Sequence, residues 1–296
     1  MNCPEVSLVM GVWQPHRDWL SEAVRSALGQ HGCNLELIVV DDGNPEPVAE
    51  LLAEVSDPRL KLLRTPHSGP GTARNAGLEA ATGSWIRFLD CDDVFEADST
   101  ARLLQLAAGD EGVIAYNATM VCTEELEPVE LLASAVSGDA VRACLLGLFD
   151  VRLPSLLFSR PVVDAAGAWD DSFRVSGDWD FVLRALDHAV VCGDRAVATY
   201  YRRHAASVTR TAGIRDGEVA RRRIIDRYLD RHPEARGSAL AREAEAALLL
   251  DRGLAYAFVG ETRRGLGRFA QGARRDPSAA IRVLPRLVRA VRAGAR

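Results

Sequence analysis

The chain has 296 residues, of which 48% are hydrophobic and 26% charged, and its formal net charge is −5. That length suits one large domain, or a domain with a helical appendage, and that composition argues against a disordered chain. Net acidity argues against a dedicated nucleic-acid binder, because phosphate neutralisation needs a basic surface. Lys61 is the one lysine among the basic residues. The abundance of Ala and Arg suggests a GC-rich coding sequence and a bacterial source.

The six cysteines, Cys3, Cys33, Cys91, Cys122, Cys144 and Cys192, form no C-x-x-C pair. Without zinc or redox spacing they read as reduced thiols of a cytoplasmic protein. The opening "MNCPEVSLVMGVW" lacks the basic region of a signal peptide, and no apolar run reaches the ~20 residues of a membrane span.

In chain order, Val6–Val12 is a continuous apolar run and reads as a strand buried on both faces. "DWLSEAVRSALGQ" follows with helical spacing, and "LELIVVDDG" is a second buried strand that ends in carboxylates. "PVAELLAEVSD" reads as a helix, "RLKLLRT" as a strand, "GTARNAGLEAATG" as a helix behind a glycine-rich loop, and "SWIRFLDCDD" as a fourth strand. This alternation predicts a mostly parallel sheet with helices on both faces, and ligands bind such sheets beyond the carboxyl ends of their strands. Two acidic clusters, "DDG" and "DCDD", therefore fall at one crevice. Further on, "TARLLQLAA" reads as helix, "GVIAYNATMV" as strand, "PVELLASAVSGDAVRACLLGLF" as helices around a turn, "LPSLLFSR" as strand, "DWDFVLRALDHA" as helix and "AVATYYRRH" as strand. After about residue 212 helix is the only strong signal, which divides the chain into an α/β domain over 1–211 and a helical region over 212–296.

Asp90 and Asp92 stand in a D-x-D arrangement with Asp93 beside them. On a strand end, alternation aims both carboxylates at one spot and makes a hard-oxygen site for Mn²⁺ or Mg²⁺ shared with substrate phosphates. The competing reading is a turn whose aspartates cap the following helix. Asp42 can accept a hydrogen bond from a nucleobase or ribose, or else Asp41 to Gly43 form an Asx turn. The loop "HSGPGTARNAG" sets Gly69, Arg74 and Asn75 near a helix start, where backbone amides and a guanidinium suit phosphate or ribose. It lacks the Lys-Ser/Thr element of a P-loop. Asp178 at a helix start reads as a general base or as an N-cap, and Asp180 as an N-cap. Arg202, Arg203 and His204 follow a strand, and His204 reads as a metal or diphosphate contact or as a structural histidine.

The ordered series "SLVMGVWQ", "VVDDGNPEP", "GPGTARNAG", "WIRFLDCDD", "LPSLLFSR", "SGDWDF", "YYRRH" resembles the inverting family 2 glycosyltransferases of GT-A fold over roughly residues 5–210. The resemblance implies transfer of a sugar from a nucleotide diphosphate sugar, UDP-sugar favoured, to an acceptor hydroxyl with a divalent metal. It implies that Trp13 stacks on the base, Asp42 hydrogen-bonds it, and Gly69, Arg74, Asn75 and Arg203 face the nucleotide and diphosphate. It further implies that Asp90 and Asp92 form the D-x-D with His204 near the metal, and that Asp178 is the catalytic base. Gln14 and Gly177 depart from the family pattern and keep open a second reading, a catalytically weak sugar-nucleotide-binding module. A nucleotidyltransferase would carry a glycine-rich loop with lysine where "GVWQPHRD" stands. Cell-envelope polysaccharide or glycolipid is the acceptor class that the resemblance implies.

The helical region contains a hairpin of tetratricopeptide kind over 240–277 and a tail, "SAAIRVLPRLVRAVRAGAR", with five Arg and no acid. Such a tail suits either a peripheral contact with the inner face of an anionic membrane or a solvated last helix docked on the domain.

Overall fold

The computed structural model describes residues 4–149, 152–207 and 213–279. Its chain divides into two compact units, residues 1–141 with 149–207, and residues 142–148 with 208–296.

The first unit is built on a nine-stranded mixed sheet. Its first half is parallel, in the order β3 (Leu60–Arg64), β2 (Leu35–Asp41), β1 (Val6–Val12), β4 (Trp85–Phe88). Every residue of β2 and all but Gly11 of β1 are buried, as a sheet covered on both faces requires. Helices α1 (Arg17–Leu28), α2 (Val48–Leu51), α3 (Pro70–Ala80) and α4 (Ser99–Ala107) connect or flank these strands. Packing of α3 on β1 depends on Gly77, where an added Cβ would lie 2.4 Å from Val9 Cγ1.

Beyond β4 the sheet turns mixed. β8 (Leu156–Ser159) runs antiparallel to both β4 and β6 (Val113–Cys122), whereas β9 (Val190–Arg202) runs parallel to β6. The two-residue β5 (Val94–Phe95) closes one end on β9, and β7 (Pro128–Leu132) pairs with β6. Helices α6 (Arg160–Ala166) and α7 (Gly177–Leu186) complete the unit. The α/β class stands, with an all-parallel half, β3-β2-β1-β4, and a mixed half in which β6 and β9 are parallel and β8 is antiparallel.

Three local readings are corrected. The helix expected through Asp57 ends at Leu51: Leu52 leaves helical geometry at φ −105° and ψ 16°, and Pro58 separately bars Asp57 from a helix. Residues 128–149 hold a strand, β7, and only a short helix, α5 (Val141–Leu145), because β6 offers a hydrogen-bonding edge that outweighs helical spacing. The fourth strand stops at Phe88, and Asp90 to Asp93 form a turn closed by Asp93 N–H donating to Asp90 O at 3.2 Å. Strand alternation therefore does not aim the D-x-D carboxylates.

The opposite, amino-terminal ends of the strands are tied by Glu36. Its Oε1 accepts from Ser7 Oγ at 2.6 Å, Thr82 N at 2.7 Å and Thr82 Oγ1 at 2.8 Å, and its Oε2 pairs with Lys61 Nζ at 2.5 Å. Burial opposes its ionisation, but Lys61, Ser7 and Thr82 together hold the carboxyl down at about 2, against an ordinary 4.5. A depressed folded pKa stabilises above the unfolded value and ceases to do so as pH falls through the folded one. The linked stability, on the order of 3 kcal/mol, is thus complete above pH 4.5 and gone below about 2. Glu36→Gln should flatten this part of the acid limb when urea midpoints are compared across that window.

The second unit contains α8 (Ile214–Arg231), α9 (Ala239–Phe258) and α10 (Thr262–Arg275). α9 and α10 form an antiparallel hairpin. Their backbones meet at Gly253 and Gly265, where a Cβ on Gly265 would lie 2.7 Å from Gly253 O. Among the described residues no helix is long and apolar enough to cross a membrane, and Cys33, Cys91, Cys122, Cys144 and Cys192 form no disulfide. Residues 280–296, nearly all of the basic tail, lie outside the described residues.

Candidate functional site

The carboxyl ends of β2, β1 and β4 lie side by side, and the sheet order reverses direction around β1. This is the switch point at which open α/β sheets form a ligand crevice. Asp42 follows β2, Trp13 follows β1, and the acidic turn follows β4.

At the β2 end, Asp41 Oδ1 accepts from Asn44 N at 2.8 Å, and Oδ2 from Val48 N at 3.1 Å. The Asx-type turn is thus built by Asp41. Gly43 sits in it at φ 72°, with His67 N only 2.5 Å from where a Cβ would stand. Asn44 also ties the turn to the first strand, donating to Val12 O at 2.8 Å and accepting from Gln14 N at 2.6 Å. Asp42 is buried, and its carboxylate organises the next loop. It accepts from Ser68 N at 2.9 Å, Gly69 N at 3.0 Å and, at 2.9 Å, meets His67 Nδ1. The His67 ring stacks on Trp13, with centroids 3.6 Å apart and planes 18° apart. Trp13 remains 39% exposed, so it retains accessible aromatic surface.

Gly69, at φ 99°, leads into α3, and α3 distributes the rest of the site. Arg74 Nη2 donates to Asp90 Oδ1 at 2.7 Å. Asn75 clamps the Trp169 backbone, with Nδ2 donating to Trp169 O at 3.0 Å and Oδ1 accepting from Trp169 N at 2.8 Å. Its amide group therefore serves the scaffold. Trp169 stacks on Phe181 at 4.3 Å, with the rings 5° from parallel, and Phe181 belongs to α7. The first turn of α7 carries Asp178, exposed, whose Oδ1 accepts from Trp179 N at 2.9 Å. Asp180 is buried in an ion pair with Arg184 Nε at 2.9 Å. It is not the N-cap that its position suggested, because Ser176 holds that place.

The acidic turn separates its carboxylates. Asp90 is 39% exposed and meets Arg74, whereas Asp92 is 29% exposed and meets His204 Nε2 at 2.8 Å. Burial first, and the charge of Asp90 second, push the Asp92 carboxyl up, against the pull of His204. Asp93 is fully buried. Its Oδ1 accepts from Arg202 N at 2.9 Å, and its Oδ2 has no hydrogen-bond partner. Burial and the neighbouring Asp92 and Asp90 push its carboxyl well up, and Arg152 counters them. Arg152 also lies over the Tyr201 ring at 5.2 Å; nothing in the local sequence singled it out.

Arg202 and Arg203 have separate fates. Arg203 is exposed. Arg202 is buried, with Nε donating to Asp92 O at 2.9 Å, Nη1 to Glu124 O and Nη2 to Glu22 Oε2, and its guanidinium lies over Trp19 at 5.0 Å. Trp19 also meets the His204 ring at 4.9 Å. Arg202 is thus a strut that fixes the acidic turn, and no donor of its guanidinium points to a free role at a diphosphate.

Among the described residues no three His, Cys, Asp or Glu side chains gather in a metal-binding group. The donor set nonetheless fits a divalent cation of Mn²⁺ or Mg²⁺ type. Asp92 offers a carboxylate whose ionisation its surroundings oppose, and His204 offers an adjacent imidazole. Such ions keep several positions for water and phosphate oxygen and need few protein ligands.

Residues 7–133 match the family model "Glycosyl transferase family 2". The succinoglycan biosynthesis protein ExoO of Rhizobium meliloti is 39% identical over 105 residues, 35% of this chain and 30% of that protein. An uncharacterized glycosyltransferase of Haemophilus influenzae is 33% identical over 142 residues, 47% of this chain and 56% of that protein. The chain therefore spans between about a third and just over half of these curated relatives. Among solved structures, S. aureus TarS 1–349 in complex with UDP-GlcNAc superposes with a TM-score of 0.60 at 13% identity, covering 90% of each chain. At that identity the likeness speaks for the fold. Motif order, switch-point geometry and these matches agree: the fold is of GT-A type, and residues 7–133 are similar to glycosyl transferase family 2.

Proposed function

We propose that this chain transfers a sugar from a nucleotide diphosphate sugar, UDP-sugar favoured, to an acceptor hydroxyl, with inversion at the anomeric carbon. The observation that carries the reading is the set of contacts radiating from α3. The loop before it is held by Asp42, Arg74 reaches Asp90, and Asn75 leads through Trp169 and Phe181 to the helix of Asp178. One rigid element thus registers a nucleotide-facing loop, an acidic turn and an exposed carboxylate, as transfer between two substrates demands. The ExoO relative is named for succinoglycan biosynthesis, and TarS was solved with UDP-GlcNAc. Both support a sugar-nucleotide donor and an envelope or extracellular polysaccharide acceptor for this chain.

In this mechanism Trp13 supplies the stacking surface for the base, and Asp42 sets the His67–Gly69 loop around it. Arg74 holds positive charge beside the diphosphate and is oriented by Asp90. Asp92 and His204 would hold a divalent cation, which supplies charge neutralisation for the departing diphosphate. Asp178 accepts the proton of the acceptor hydroxyl as that oxygen attacks, and its exposure leaves it open to a second substrate. Displacement from the face opposite the leaving group inverts the sugar carbon.

The test is release of nucleoside diphosphate from a panel of nucleotide sugars, with Mn²⁺ and with chelator. Asp92→Ala should lower metal-dependent release at least a hundredfold and weaken Mn²⁺-dependent donor binding in calorimetry. Equal release by Asp92→Ala, or release indifferent to chelator, would contradict the metal role. Donor binding without release on any acceptor preparation would favour the binding-module reading, which Gly177 and Gln14 suggest.

A further inference from the structure

The α9–α10 hairpin ends in a turn that exposes three bulky apolar side chains close together in sequence. Phe258 is 51% exposed, Val259 62% and Leu266 66%. A single exposed leucine carries no message, but three bulky apolar side chains exposed within nine residues, from the end of α9 into the start of α10, call for an explanation. The adjoining helix gives the patch its charge. α10 contains Arg263, Arg264, Arg268, Arg274 and Arg275 and no acidic residue.

Gly265 and Gly272 face α9, since an added Cβ there would meet Gly253 O and Ala257 N, or Leu250 and Ala246 O. The side of α10 away from α9 therefore presents Arg263, Leu266, Ala270 and Arg274, at spacings of three, four and four residues. Arg268 is paired with buried Glu218 at 2.9 Å and Arg275 with Glu245. Arg264 meets Glu261 at 2.7 Å but is 70% exposed, a pairing that water screens. Arg263 and Arg274 are exposed.

We infer that the outward face of α10 together with the adjoining turn is a docking surface for an anionic phospholipid bilayer, with Phe258, Val259 and Leu266 entering the headgroup boundary and Arg263, Arg264 and Arg274 meeting the lipid phosphates along the helix. Charge selects this occupant. A second copy of the hairpin would bring arginine against arginine. The chain's own tail carries Arg282, Arg286, Arg289, Arg292 and Arg296 without an acid, so it too would be repelled from α10. An anionic surface that also accepts apolar side chains answers both halves of the patch.

The experiment is co-sedimentation of the full chain with vesicles of phosphatidylcholine alone and of phosphatidylcholine mixed with phosphatidylglycerol. The expected result is binding to the mixed vesicles only, falling as salt is raised. Phe258→Ser with Leu266→Ser should weaken it about tenfold. Arg263→Gln and Arg274→Gln should each weaken it about fivefold. These side chains are exposed, so unfolding midpoints should stay at the parent value, and the arginine variants test the surface independently of the apolar ones. Absence of binding to mixed vesicles, equal binding to phosphatidylcholine alone, or binding that survives all four substitutions would overturn the inference. Sedimentation velocity without lipid covers the rival occupant, and self-association abolished by the serine pair would also overturn it. Lipid binding is read without turnover, so its failure and that of the transferase reading are separable.

Discussion

Asp178→Asn should lower turnover by roughly 10²–10⁴-fold, the usual contribution of a positioned general base. The substitution is conservative where it needs to be. The existing hydrogen bond is donated by Trp179 N to Asp178 Oδ1, and an asparagine Oδ1 accepts it equally well. What is lost is the ability to take a proton. Donor affinity, read by calorimetry, should stay within about threefold, because an interaction used only in the transition state lowers kcat and kcat/KM together. Parallel loss of donor affinity would mean that Asp178 binds the sugar nucleotide. Full activity in the variant would remove it from the chemistry, and the base would have to be sought elsewhere.

Arg87→Ala should destabilise the first unit by about 3–5 kcal/mol, the range of a buried hydrogen-bond hub lost together with its volume. Arg87 is fully buried on β4, and among the described residues it has no carboxylate partner. Its Nε donates to Pro154 O at 2.9 Å, Nη1 to Ser99 Oγ at 2.8 Å and Thr100 Oγ1 at 2.7 Å, and Nη2 to Ala198 O at 3.2 Å. The guanidinium lies 3.5 Å from the Phe95 ring centroid. One side chain thereby ties β4 to α4, β5, β9 and the segment before β8. Burial pulls its pKa well below the ordinary arginine value, a sign of how much desolvation these contacts must offset. Ser99 and Thr100 would still meet Gln30 Oε1, but Pro154 O would lose its donor. Arg87→Met refills the volume without the donors and should fall between the parent and Arg87→Ala. A Met variant as stable as the parent would show that removal of a buried charge cancels the lost bonds. All five tryptophans, Trp13, Trp19, Trp85, Trp169 and Trp179, belong to the first unit, so fluorescence during urea unfolding reports on that unit directly.

These two residues differ in how legible they were. Asp178 lay in a short polar motif at a helix start, where local sequence and the ordered motif series both drew attention to it. Arg87 lay inside an apolar strand, and its partners are up to 112 residues away. Arg202 and Arg203 make the same point within one dipeptide. Sequence placed Arg203 at the diphosphate and gave Arg202 no separate role, but strand pairing with β6 sends Arg202 inward to the acidic turn and leaves Arg203 exposed. Asn75 looked like a polar residue facing a ligand, and Trp169, 94 residues later, takes both ends of its amide.

By itself the sequence determined the parallel strands β1 to β3, the helices α1, α3 and α7, the helical character of the second unit, and the family resemblance. Those features rest on local periodicity and on short motifs whose order along the chain is informative. Only the tertiary structure decided that the D-x-D lies on a turn, that residues 128–132 form a strand, and that Asp42, Asn75 and Arg202 hold the site in shape. The physical reason is that a buried polar group must find a partner wherever the fold supplies one. That partner is set by which strands lie side by side, and no window of neighbouring residues contains it.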